Sequence, residues 1–155
     1  LGILLKQVYD CNVFRMDDFF LQPHQRTKKR LESPGENVDH ERFEQEVLIP
    51  LSKHEDVKLR KFNCSTLSIQ SPNLIPYKSF NVIEGSYSMH SDLQKYYSYS
   101  VFLTVDKHEQ IERLRKRNPD MVNSFIQRWI PLEEAYFNTF SIRDKCNIQI
   151  NTSKA

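Results

Sequence analysis

The chain has 155 residues, enough for one ordinary domain with its own core, and 39% apolar against 27% charged residues excludes an intrinsically disordered segment. A net charge of +2 is too near balance to argue for a nucleic-acid partner, and neither a membrane-spanning apolar run nor a signal-peptide pattern occurs. Cys11, Cys64 and Cys146 are scattered without metal-ligand spacing and read as reduced thiols of a cytoplasmic protein.

Residues 1–9 predict a helix with Leu1, Leu4, Leu5 and Val8 on its apolar face, ended by the turn-forming Asp10-Cys11-Asn12. Asn12 to Met16 is a short strand, and residues 21–37, polar and basic with Pro23, Pro34 and Gly35, read as a long surface loop. Residues 39–51 are helical, because Phe43, Val47, Leu48 and Leu51 share one face. Residues 58–64 and 67–77, with Pro72 and Pro76, suit a β-hairpin or an irregular excursion. Ser79 to Ile83 forms a strand that runs into Glu84-Gly85, and YSVFLTV at 99–105 predicts a buried strand. Asp106 and Glu109 make a capping-box start for a helix to about Arg117. A second helix follows Asn118-Pro119 and carries Met121, Phe125, Trp129, Leu132, Tyr136 and Phe140, with a kink expected at Pro131. CNIQI at 146–150 is a last strand.

Strands separated by helices indicate an α/β domain with a mostly parallel sheet, in which ligands gather at the carboxyl ends of the strands. Asp17-Asp18 and Glu84-Gly85 both stand directly after a strand, so their carboxylates are expected to converge. Each pair on its own also fits a plain strand-to-loop turn.

FRMDDFF at 14–20 resembles the segment after the second strand in the uridine kinase, phosphoribulokinase and nicotinamide riboside kinase branch of the P-loop kinases. The resemblance implies a three-layer α/β nucleoside kinase-like fold with a helical lid and a small β-hairpin excursion. It makes Asp17 the general base for an acceptor hydroxyl and sets Phe19 and Phe20 as the aromatic pair, Phe20 touching the acceptor. An alcohol is a poor nucleophile, and phosphoryl transfer needs it aligned by a fixed carboxylate that accepts its proton. VIEG at 82–85 resembles the family's Walker-B-like strand end, which gives Glu84, with Asp17, the Mg²⁺ role. Asn37-Val38-Asp39-His40 resembles a stretch whose Asp binds sugar hydroxyls, so Asp39 and His40 are candidate acceptor contacts, although Asp39 is also a natural helix N-cap. RLRKR at 113–117 resembles the helix entering the phosphate-covering lid, here residues 107–131. There Arg117 matches the arginine that neutralises the transferring phosphoryl group, and Arg113 and Lys116 match basic phosphate-binding positions.

The base-recognition part departs from the pattern. Val38 replaces an aromatic residue, Phe62-Asn63-Cys64 stands in for a Tyr-Asp-aromatic hairpin that touches the base, and Leu67 stands where a His is expected. Trp129, Tyr136 and Phe137 fit core and hinge packing better than a cofactor-facing stripe.

The phosphate-loop motif Gly-x-x-x-x-Gly-Lys-Ser/Thr is not in the sequence, whose glycines are Gly2, Gly35 and Gly85. LGILLKQ resembles the helix that follows that loop. The resemblance therefore covers nearly all of residues 1–155 as a single kinase-like domain lacking its first strand and loop, roughly twenty residues, and inactive as it stands. The missing strand is expected between the strand ending at Glu84 and the strand at 99–105, with Leu1 emerging near Asp17 and Glu84. The implied function is ATP- and Mg²⁺-dependent phosphorylation of a small-molecule acceptor, a nucleoside or related sugar-like metabolite. Neither nucleic acid nor membrane is an expected partner, and a homo-oligomer is compatible with this reading. The alternative is a non-catalytic nucleotide-binding regulatory or interaction module.

Overall fold

The structure, a computed structural model, describes residues 2–153. The expectation for Leu1 lies outside them. The chain forms two compact units, residues 1–96 and 97–155.

The first unit begins with helix α1 (Gly2–Val8) and strand β1 (Asn12–Arg15). Inside α1, Gly2 is buried while Leu4 and Val8 stay exposed, so the apolar face read from the sequence is largely uncovered. β1 pairs in parallel with β6 (Asn81–Glu84), from Asn12 opposite Asn81 to Arg15 opposite Glu84. Buried Asn12 sets this register: its side-chain amide donates to the Pro76 carbonyl at 2.9 Å and to Asn81 Oδ1 at 3.2 Å. A buried amide without such partners would cost about 1–3 kcal/mol, so a slipped pairing is penalised at its first residue.

Residues 21–37 are more ordered than the expected loop. They contain a 3₁₀ turn (Pro23–Gln25) and helix α2 (Lys28–Glu32), capped by the Thr27 hydroxyl. The helix expected over 39–51 is α3 (His40–Phe43), a π-helical turn (Glu44–Leu48) and α4 (Ile49–Ser52). Phe43, Val47 and Leu48 are buried as the spacing required, with the Phe43 ring edge-on to Phe19 at 4.9 Å. The excursion is two antiparallel pairs, β2 (Val57–Leu59) with β5 (Asn73–Ile75) and β3 (Phe62–Asn63) with β4 (Ser68–Ile69).

In the second unit β7 (Val101–Thr104) pairs in parallel with β8 (Ile148–Asn151). The expected buried strand is covered on one face only. Phe102 is buried edge-on to Phe137, whereas Val101 and Leu103 are 39% and 44% exposed. A continuous apolar run signals burial on both faces, and here alternation along the strand turns every second side chain outward.

Helix α5 (Lys107–Arg117) is N-capped by the Asp106 carboxylate, which accepts the His108 and Glu109 amides. The Asp106 amide that the expected capping box would give to Glu109 donates instead to Ser153 Oγ at 2.7 Å. A 3₁₀ turn (Pro119–Met121) and helix α6 (Val122–Ser124) lead to a π-helical turn (Phe125–Trp129) and α7 (Ile130–Thr139); α8 (Ile142–Lys145) precedes β8. Both π turns end two residues before a proline, Pro50 and Pro131, in the related strings LIPL and WIPL. A proline ring clashes with the carbonyl four residues back and offers no N–H to it, so a local widening of the helix relieves both problems. Around Tyr136 and Ile142, both fully buried, this unit closes its own core.

Candidate functional site at the carboxyl end of the β1–β6 pair

β1 and β6 are neighbours and parallel, so Asp17 and Glu84 leave the same end of adjacent strands, as the sequence required. Asp17 lies in a 3₁₀ turn (Met16–Asp18) immediately after β1 and is exposed; Asp18 is half-buried and paired with Lys61 Nζ at 2.9 Å. Asp18 thus ties the turn to the excursion. Beneath them Met16 and Phe19 are completely buried, which fixes the turn that carries Asp17.

Glu84 sits at the end of β6 with Oε1 2.9 Å from Arg15 Nε. Close packing holds this region together. A Cβ on Gly2 would lie 2.6 Å from Glu84 Oε2, and one on Gly85 would lie 2.7 Å from the Met16 Cβ. Gly85 also has φ of +141°, a conformation that strains any side-chain-bearing residue. Gly85→Ala is therefore expected to destabilise the first unit by about 1–3 kcal/mol, read as a lower urea midpoint at unchanged slope, because Met16 has no room to retreat. A midpoint equal to that of the parent protein would show that this contact does not fix the site.

Asp39 is 2% exposed and acts as the helix N-cap: Oδ1 accepts the Arg42 amide at 3.2 Å, and Oδ2 takes Arg42 Nε at 3.3 Å. Its own amide donates to the Phe19 carbonyl at 2.8 Å, and Phe20 bridges to Val38, so the Asp17 turn and the Asp39 turn are stitched together. Arg42 was not singled out by sequence, although its spacing of three from Asp39 and four from Glu46 is the helical pairing pattern. It also bonds Glu46 and the Arg60 carbonyl and lies 4.1 Å over the Phe19 ring.

His40 is buried and stacked on buried His90, with ring centroids 3.8 Å apart. Both Nε2 atoms face Glu36, at 3.3 Å and 3.4 Å. His90 and Glu36 carry no sequence signal, since fifty residues separate the two histidines. Burial, and then the neighbouring His40, hold the His90 pKa below its ordinary 6.5, against the opposing pull of Glu36 and Asp92. A depressed histidine pKa means that the unfolded chain binds the proton more readily. The stability contributed by neutral His90 is thus present above about pH 6.5 and is lost as pH falls through that value toward the folded pKa. Urea melts between about pH 8 and pH 5 should show this decline above the range in which Glu41 and Glu44 titrate, both of which are held below 4.5. A flat profile between about pH 7 and pH 5.5 would contradict the burial of a neutral His90.

Phe62 is buried beneath Arg26, whose Cζ lies 5.6 Å from the ring centre. In the second unit Arg113 is held by Glu109 and by Thr152, while Arg117 is exposed, with Nε on Asn118 Oδ1 at 2.8 Å and its guanidinium over Phe125. Lys116 is exposed on the same helix. The structure thus brings Asp17, Glu84, Asp39, Phe20, His40 and Phe62 into one unit, and Arg113, Lys116 and Arg117 onto α5 of the other.

The donor set at the β1–β6 end suits a hard cation: two carboxylates, one exposed and one partly so, with Arg15 as the competing charge on Glu84. No helix among the described residues is long and apolar enough to cross a membrane. No family model and no curated protein matches the chain. Among solved structures, that of a possible uridine kinase from Bacillus stearothermophilus matches 96% of this chain and 76% of its own length, with a TM-score of 0.67 and 18% sequence identity. The chain therefore has a uridine kinase-like α/β fold.

Proposed function

We propose that this chain carries the acceptor side of an ATP-dependent phosphotransferase acting on a hydroxyl of a nucleoside or a related sugar-like metabolite. The observation that supports it most is the placement of Asp17 and Glu84 after two paired parallel strands, at the end of the sheet where α/β proteins bind ligands. The likeness to a possible uridine kinase gives the same direction at the level of fold.

In this reading Asp17 accepts the proton of the acceptor hydroxyl as its oxygen bonds to the γ-phosphorus. The bond from that phosphorus to the β–γ bridging oxygen breaks, and ADP leaves. Mg²⁺, when bound, neutralises charge on the phosphate oxygens. Glu84, with Asp17, would hold that ion or its water shell, and Arg15, 2.9 Å from Oε1, orients the Glu84 carboxylate beforehand. Asp39, committed to the Arg42 amide and guanidinium, positions the turn beside the acceptor, with Phe20, His40 and Phe62 around it. The family resemblance assigns Arg117 of residues 107–131 to stabilising charge on the transferring group, and Arg113 and Lys116 to phosphate contacts. Val38 and Leu67 replace base-contacting side chains of the family pattern, so the acceptor need not be uridine.

The Arg15–Glu84 ion pair favours a second reading, a nucleotide-binding module without catalysis, because an arginine can occupy the carboxylate in place of a cation. Arg15→Ala separates the two in the complete protein. A catalytic site should lose Mg²⁺-dependent turnover by about tenfold or less, since the carboxylate stays available. A module shows no turnover with or without the arginine.

A further inference from the structure

Glu36, His40 and His90 form a second cluster of donors, separate from the carboxylates after β1 and β6. One donor atom from each lies within 4.8 Å of the others. The Glu36 carboxylate spans the two imidazoles, with Oε2 3.3 Å from His40 Nε2 and Oε1 3.4 Å from His90 Nε2. The two contacts use different carboxylate oxygens; one oxygen and both Nε2 atoms, within 4.8 Å of one another, must draw together to reach the about 2.0–2.2 Å bonds of a single ion. Behind the rings, Asp92 Oδ2 lies 4.0 Å from His40 Nδ1 and 3.9 Å from His90 Nδ1. At those distances the carboxylate is not hydrogen-bonded to either ring, but it lies where it can take up an Nδ1–H once Nε2 binds a metal.

We propose that Glu36, His40 and His90 bind a divalent ion of the zinc class as three protein ligands with one open position. The donor chemistry selects it: two imidazoles and one carboxylate suit zinc, whereas an oxygen-only set would suit magnesium or calcium. Both imidazoles are buried and Glu36 is half-buried, so the ion enters from the Glu36 side. The rings are stacked 16° from parallel, and His90 Nδ1 accepts the Asp92 amide at 3.4 Å. An ion must lie in the plane of each ring it binds, so capture splays the stack and moves the proton of each ring to Nδ1. Bound there, the ion clips the segment after β6 to the start of α3, beside Asp39. This site does not depend on the phosphotransferase reading.

The test is titration of the metal-free full chain with Zn²⁺ against a chromophoric chelator, and with Co²⁺ for its absorption spectrum. The expected result is one ion per chain with an intense tetrahedral cobalt spectrum. His90→Asn and Glu36→Gln should each weaken zinc binding by more than the roughly 10–100-fold typical of losing a supporting group, and Asp92→Asn by about tenfold. Glu84→Gln should leave it unchanged. If His90→Asn unfolds by circular dichroism, Glu36→Gln, on a half-buried side chain, still decides the matter. Absence of binding, or binding that Glu36→Gln leaves intact and thiol blocking at Cys64 and Cys146 abolishes, overturns the proposal.

Discussion

Asp17→Asn in the complete protein is expected to lower turnover by about 10²–10⁴-fold while ATP affinity stays within a few-fold. An amide has nearly the size of the carboxylate, so binding survives, but it cannot accept the hydroxyl proton as the new phosphorus–oxygen bond forms. The neighbouring substitution is the internal control. Asp18 is paired with Lys61 and half-buried, and Asp18→Asn should cost stability slightly and turnover less than about tenfold. Steady-state kinetics of both variants with saturating ATP checks this. Equal losses would show that the turn after β1 presents its acids in a different register from the one argued here.

The largest structural effect is expected from Arg42. Its side chain is 9% exposed and joins two nearly buried carboxylates, Asp39 and Glu46, while its guanidinium covers the Phe19 ring. Removing the guanidinium leaves the buried Asp39 carboxylate with only the residue-42 backbone amide, while Glu46 keeps Arg60, so the cost falls at the lower end of the buried-pair range, about 3 kcal/mol. Arg42→Ala should therefore lower unfolding free energy by about that amount, a large share of the roughly 5–15 kcal/mol available to a domain. Arg42→Lys should recover part of it, since an ammonium restores charge but not the forked bonds to Asp39, Glu46 and the Arg60 carbonyl. Urea denaturation of the three proteins measures it. A loss below about 1 kcal/mol for Arg42→Ala would mean that water already reaches Asp39 and Glu46.

The elements that position the site were legible because their signals are local. The short strand at β1, the VIEG strand end and the Asp39 cap each lie within a few residues of what they predict, and a resemblance to kinase motifs could be laid on them directly. The π turns were not legible as such. Pro131 announced a break in the helix, but widening rather than kinking is settled by how the next turn packs. The exposure of Val101 and Leu103 was hidden for a related reason, since an apolar run does not say how many faces are covered. Residues that meet across long sequence distances left no trace: Glu36 and His90 around His40, Lys61 on Asp18, and Gly2 against Glu84. The contacts of Gly2 with Glu84 and of His40 with His90 depend on the parallel crossover from β1 to β6, which brings segments some seventy residues apart into register.

The most direct measurement of the central claim is phosphoryl transfer from γ-phosphate-labelled ATP by the complete protein, offered a panel of nucleosides and sugar-like metabolites, with and without Mg²⁺. The account predicts label on a hydroxyl of at least one acceptor, dependent on Mg²⁺ and lost in both Asp17→Asn and Glu84→Gln. Binding of ATP without transfer to any acceptor, or transfer that persists in Asp17→Asn, would contradict it.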